Sequence, residues 1–198
     1  MTAMVHPAGA GKTIIRSSKS LRKGIPLIDG LPHPVTQVDD EQIQPNAIDL
    51  RISRIFKINY DGNPVVLTES EKKHADKFEL FVSRLAGEGN NKVACWYLEP
   101  ATYEVLFDET IAVHPNEAGW VITRSTLNRN GIFLTSGLYD SGYNGVMAAA
   151  LHVSTVPLII APGTRIGQYL AFSAESKREY DGDYGAGSSH DAKAYGSA

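Results

Sequence analysis

The chain is poor in cysteine, in long apolar runs and in surplus positive charge, and each shortage removes a class of protein. Cys95 is the only cysteine of 198 residues. No intramolecular disulfide and no Cys/His zinc cluster can form, and an intracellular setting is expected. Its surroundings, VACWYL, read as an apolar strand, which makes Cys95 a core residue rather than a nucleophile. No stretch approaches the ~18 apolar residues of a membrane span, and the N-terminus shows no apolar h-region of a signal peptide. The 19 Lys and Arg stand against 22 Asp and Glu, a net charge of -3. That balance argues against a long nucleic-acid footprint. It leaves room for a local basic pocket that takes a phosphorylated small molecule.

What is present is mostly strand. IDLRISRIFKI (48–58), KVACWYL (92–98), TYEVLF (102–107) and GWVITR (119–124) partly alternate. GIFLT, VMAAALHV, PLIIA and IGQYLAF follow, separated by Gly, Pro, Asn and Asp. Many short strands with frequent turn residues predict an all-β sandwich or barrel. Two helices are expected beside them. SSKSLRKG (17–24) is a short one, and 68–87 is the better one, with Thr68 and Glu71 as a capping box and Gly87 as the stop. Ala75, Phe78, Val82 and Leu85 follow helical spacing there. AGAGKT near the N-terminus lacks the first glycine of a Walker loop, because His6 stands in its place, so residues 1–16 read as a flexible arm. Residues 173–198 are rich in Gly, Ser, Ala and charge and cannot build a core. They read as a mobile tail after a domain spanning 17–172.

Four segments end a few apolar residues in a polar turn: IQPNAIDLR (43–51), RSTLNRNGI (124–132), GLYDSGYNG (137–145) and PGTRIGQYLAF (162–172). Each alone is bland. RSTLNRNG is a helix start capped by Ser125 or Thr126, GLYDSGYNG suits a hairpin, and Asp49 can serve a bulge. In this order they resemble the motifs of the deoxyuridine triphosphatase and dCTP deaminase superfamily, over roughly residues 17–185. The resemblance implies a distorted jelly-roll β-barrel or sandwich of the dUTPase type with one or two short helices, assembled as a homotrimer with active sites between subunits.

It also implies site residues. Asp140 is the catalytic group that orients or deprotonates a water. Arg124, Ser125, Thr126, Arg129 and Gln168 bind the triphosphate, and Tyr143 packs flat on the deoxyribose. The chemistry suits these roles: a guanidinium forks onto phosphate, and hydroxyl and amide groups add donors. Asp49 and Arg51 support the site. They either touch ligand directly or pair with each other or with Arg124. Mg2+ is the implied cofactor, held by phosphate oxygens and water with no direct protein ligand. The hairpin around Gly137 to Val146 reads the pyrimidine through backbone groups.

The choice of branch turns on one position. The resembled deaminases carry a glutamate on the strand after the third motif, and here that place is Ala150, which cannot move a proton. The expected reaction is therefore hydrolysis of deoxyuridine triphosphate to dUMP and diphosphate, supplying dUMP for thymidylate synthesis. A dCTP deaminase or a bifunctional enzyme is the alternative, and a non-catalytic nucleotide-sensing regulator the second. The expected setting is cytoplasmic, or host cytoplasm for a viral chain, with no nucleic-acid or membrane partner. In the tail, Tyr180 or Tyr184 takes the place of the family's closing aromatic, while Arg178 falls one residue early for its arginine. The run AAA at 148–150 suggests close approach of subunits.

Overall fold

A computed structural model describes residues 40–185 apart from 43, 90, 91 and 114. The proposed arm at 1–16, the AGAGKT segment and the helix expected at 17–24 lie outside the described residues. Among the described residues, a 3-10 turn, Asp40–Gln42, leads to thirteen strands. They are β1 (Ile48–Ile58), β2 (Val66–Leu67), β3 (Lys72–Lys73), β4 (Lys77–Glu79), β5 (Arg84–Ala86), β6 (Val93–Leu98) and β7 (Ala101–Ala112). The second half holds β8 (Glu117–Thr123), β9 (Ile132–Thr135), β10 (Leu138–Tyr139), β11 (Asn144–Val153), β12 (Leu158–Ile160) and β13 (Arg165–Ser173). One four-residue helix, α1 (Ser125–Asn128), sits between β8 and β9.

The main sheet runs β10-β8-β13-β1-β7-β11-β9, with β4 also on β1, and its pairings are antiparallel. β1 is its pivot. Its first residues pair with β13, Asp49 opposite Gln168, and a register shift follows Leu50. From Ile52 onward it pairs with β7, with a second shift between Ile52 and Arg54. Bulges of this kind bend a strand and increase its twist, and they let one strand serve both layers of a sandwich. The core lies between the layers. Leu50, Ile52 and Ile55 of β1 meet Val105 and Phe107 of β7, Val121 of β8, and Ile166 and Tyr169 of β13. β11 alternates strictly, sending Met147, Ala149, Leu151 and Val153 inward. Cys95 is buried, as its apolar strand predicts.

The helix expected at 68–87 is not formed. Thr68 does accept from the amide of Glu71 at 2.9 Å, as in a capping box, and its own amide donates to Glu71 O at 2.9 Å. Those bonds close the turn of the β2–β3 hairpin instead of opening a helix. Beyond it the backbone is taken by neighbours. β4 pairs with β1, β5 pairs with β6, and the Leu80 amide donates to Ile55 O at 2.8 Å. The apolar residues that suggested a buried helical face stay out of the core: Phe78 is 51% exposed, Val82 42% and Leu85 68%. A short helix with no face to bury is marginal, and strand pairing to a formed sheet wins.

Leu151 is fully buried in the second half of β11. Leu151→Ala should lower the unfolding free energy by about 2–5 kcal/mol, read from the urea midpoint at unchanged m-value.

Candidate active site

Three of the four motif segments meet at one buried carboxylate. Asp49 is fully buried although it lies on the face of β1 away from the core. Gln168, its partner across β13, donates from Nε2 to Asp49 Oδ1 at 3.0 Å. Arg124 Nε lies 3.3 Å from Oδ2 and Arg165 Nη1 3.7 Å, ionic contacts without hydrogen-bond geometry. The end of β8 is brought here by register. The Arg124 amide donates to Ile166 O at 3.0 Å, and its Nη1 donates to Arg165 O at 3.1 Å. Arg165 Nη1 also donates to Glu41 O at 2.7 Å. Two guanidiniums, each about a third exposed, thus share one buried carboxylate. The surplus positive charge faces outward, where an anion can reach it.

Arg51 does not join this cluster. Its amide and its Nε donate to Glu109 Oε2 and Oε1, at 3.0 and 3.1 Å. Asp49 pairs with Arg124, and Arg51 with Glu109, a residue outside every motif. Glu109 also accepts from Gln42 Nε2 at 2.6 Å, which in turn donates to Asp49 O at 2.8 Å. Arg165 lies inside the fourth motif's Arg-Ile-x-Gln, so its signal was present. Glu109 follows directly on the TYEVLFD strand run, where a charged residue in a long strand is the only hint. Gln42 carries none.

α1 follows directly on Arg124. Neither Ser125 nor Thr126 caps it: Arg124 occupies the N-cap position in extended conformation, with no side-chain cap bond. A cap side chain bonds back to an amide two or three residues on; here that role is not taken, and Ser125, Thr126 and Arg129 lie exposed.

The third motif is elsewhere. β10 pairs with β8 through Leu138–Trp120 and Tyr139–Gly119. Arg124 follows the end of β8, five residues beyond Gly119, so at about 3.3 Å per residue roughly 16 Å of chain separates it from the start of the hairpin that carries Asp140. Asp140 is exposed and lines a cleft of about 380 Å³ with Ser176, Arg178, Glu179, Tyr180, Asp181 and Gly182. Tyr143 is buried. Its hydroxyl donates to Val146 O at 2.7 Å, and its ring meets Tyr139 and, edge-on at 5.3 Å, Tyr180. The Tyr180 amide donates to Ser141 O at 2.8 Å, and Ser141 and Ser176 share a 2.5 Å hydroxyl bond. Residues 174–185 therefore pack on the hairpin of their own chain, and the Tyr143 ring, which the resemblance would lay flat on a sugar, is buried with Tyr180 against it. Tyr184 turns away to His74, and Asp183 pairs with Lys72 at 2.5 Å.

Burial raises the carboxyls of Asp108 and Glu109 above the usual range, against the opposing pull of Arg51 on both. The folded chain therefore keeps these protons to higher pH than the unfolded chain. Their contribution is most favourable below the ordinary carboxylate range and falls as pH rises through the raised values. In thermal melts across that window, Glu109→Gln should flatten part of the decline seen in the wild type.

The comparisons with known proteins follow this geometry. The dCTP deaminase-like family profile matches residues 17–173. A probable deoxyuridine 5'-triphosphate nucleotidohydrolase of Halobacterium salinarum is 31% identical over 150 residues, 76% of this chain and 87% of its own. A dCTP deaminase of Haloarcula marismortui is 31% identical over 173 residues, 85% of this chain and 82% of its own. Among solved structures, the 2'-deoxycytidine 5'-triphosphate deaminase of Agrobacterium tumefaciens superposes with a TM-score of 0.52 at 17% identity, over 81% of this chain and 49% of that one, a likeness of fold. With the motif residues gathered on Asp49 and the profile spanning most of its length, the chain belongs to the dCTP deaminase-like family, whose relatives include both nucleotidohydrolases and deaminases.

Proposed function

We propose that the chain hydrolyses deoxyuridine triphosphate to dUMP and diphosphate. The observation that carries this reading is Ala150. On β11 it stands on the half-exposed outer face, opposite Glu104 of β7 and Thr135 of β9. The resembled deaminases need a carboxylate there, and β11 offers none along its length. The hydrolase groups have the right chemistry. The Asp49 cluster supplies fixed positive charge for a triphosphate through Arg124 and Arg165, with Gln168 beside them. Asp140, exposed in its cleft, accepts a proton from a water whose oxygen attacks the α-phosphorus. The bond to diphosphate breaks, and diphosphate leaves.

Among the described residues no cluster of three or more His, Cys, Asp or Glu could hold a metal. The Mg2+ of this proposal is carried by phosphate oxygens and water rather than by a protein cage. When bound, it offsets charge on the phosphate oxygens. The alternation of β11 alters the reading of the AAA run: Ala149 is in the core, while Ala148 and Ala150 are on the outer face. Arg124 and Asp140 lie far apart in one chain, so a complete site takes the third-motif hairpin from a second copy. A homotrimer with sites between subunits fits that need. Asp181 faces the cleft, and this acid is compatible with phosphates seated at the arginines rather than at the tail. Tyr180 must leave the ring of Tyr143 for a sugar to stack there. A cytoplasmic setting suits enzymes of this chemistry.

A second reading rests on Glu104. It is directly across from Ala150 on the same face and so is a carboxylate near the deaminase position, although it is engaged by Lys77. A nucleotide panel with Mg2+, assayed for diphosphate and ammonia, separates the readings. Diphosphate release from dUTP is expected, and Asp140→Asn should lower it by roughly 10²–10⁴-fold. Ammonia from dCTP that disappears in Glu104→Gln would establish the second reading, and tight dUTP binding without turnover would make the chain a regulator. Mixing the inactive Asp140→Asn and Arg124→Ala proteins under exchange conditions should restore activity if sites are shared between chains. No recovery in verified mixed oligomers would place the whole site in one chain.

A further inference from the structure

We infer that Glu109 and Gln42 are positioning residues that hold the Asp49 anion site in shape by replacing a missing stretch of β-ladder. The inference rests on the proposed triphosphate site. β1 pairs with β7 from Ile52, opposite Phe107. Continued in register, the ladder would set Leu50 opposite Glu109, but no pairing is formed there. Asp49 O and the Arg51 amide belong to alternate residues of β1 and point to the same edge, the one β7 has left. Buried with no partner, each would cost the free energy of an unmade hydrogen bond.

Two side chains fill that gap. Gln42 Nε2 donates to Asp49 O at 2.8 Å, and Glu109 Oε2 accepts from the Arg51 amide at 3.0 Å. They are bonded to each other, Gln42 Nε2 to Glu109 Oε1 at 2.6 Å, and the same Oε1 accepts from Arg51 Nε at 3.1 Å. Both are almost wholly buried. Thus the plug fixes the backbone on both sides of Leu50, at the bulge where β1 changes partners. Asp49 sits on that backbone, and Asp49 in turn aligns Arg124, Arg165 and Gln168. The Arg165 contact to Glu41 O attaches the same 3-10 turn to the cluster from its open side. The hydrogen bonds of Glu109 and Gln42 go to Asp49 O, to Arg51 and to each other, so their effect on an anion at Arg124 and Arg165 runs through Asp49.

The chemistry of the plug sets the test. Glu109 receives three donors, which a carboxylate accommodates and a carboxamide does not, because its NH2 would face donors. Glu109→Gln therefore disturbs the plug without changing its size. Gln42→Leu removes the bonds to Asp49 O and Glu109 while leaving the Arg51–Glu109 clamp in place, so it keeps the fold if Glu109→Gln does not. Val153→Ala, at the far end of β11, serves as a control for general loss of stability.

The assay is calorimetric titration of the full chain with inorganic tripolyphosphate, alongside kinetics on dUTP, at a temperature where every variant is folded. Both plug variants should weaken tripolyphosphate binding by roughly tenfold or more, as misplacement of a binding group by a fraction of an ångström does. They should raise KM for dUTP in step, with kcat changed about twofold at most. Val153→Ala should lower Tm with wild-type affinity. Folded plug variants that bind as tightly as wild type overturn the inference, as does a Val153→Ala protein weakened to the same degree. A wild type that binds tripolyphosphate without hydrolysing dUTP removes the hydrolase reading but leaves this comparison decisive. A wild type that binds no triphosphate overturns both.

Discussion

The buried carboxylate of Asp49 is the constraint on which the rest of the site depends. Removing a carboxylate from water costs several kcal/mol unless charge and hydrogen bonds replace the solvent. Here Gln168 supplies a hydrogen bond, and Arg124 and Arg165 supply opposite charge. That requirement draws the end of β8, the start of β13 and the start of β1 to one point. The sharing is unequal, with one anion for two cations. A neutral pair would satisfy the fold as well. The extra guanidinium leaves net positive charge at the cluster, and both guanidiniums stay about a third exposed.

The same arrangement leaves Asp140 apart from the arginines. A strong general base beside two arginines would be neutralised by them, as Asp49 is. Asp140 instead sits on a hairpin at the other end of β8, exposed and outside the arginine cluster. Tyr180 meets Tyr143 edge-on beside the cleft that Asp140 lines, so the buried ring is packed by the chain's own aromatic.

Much of this was legible in the sequence, and the reason is local. The strands at 48–58 and 93–98 are written in apolar residues at strand period, and the Gly-, Asn- and Pro-rich intervals between strands fall at real turns. Asp49, Arg124 and Gln168 were found because each lies in a motif with its own spacing, and the structure gathers those three. What local pattern could not show is what two distant segments do to each other. The apolar residues of 75–85 have helical spacing, yet the strand edges of β1 and β6 claimed their backbone. Ser125 and Thr126 look like caps, but the extended Arg124 takes the cap position. Gln42 and Glu109 are 67 positions apart, and their bond exists only because β1 parts from β7.

That last case carries a general point about where positioning residues hide. A continuous ladder leaves no backbone group needing a side chain, so its neighbours can be any residues that pack. A strand that changes partners exposes amides and carbonyls in the interior, and buried polar side chains must then answer them. Such residues have no motif, because their geometry is set by the splay rather than by the ligand. They nonetheless fix the backbone from which the ligand-facing group projects. In this chain the splay lies at Leu50, one residue from Asp49. The bend that lets β1 serve both layers is therefore also the place where Gln42 and Glu109 hold the backbone beside the buried Asp49.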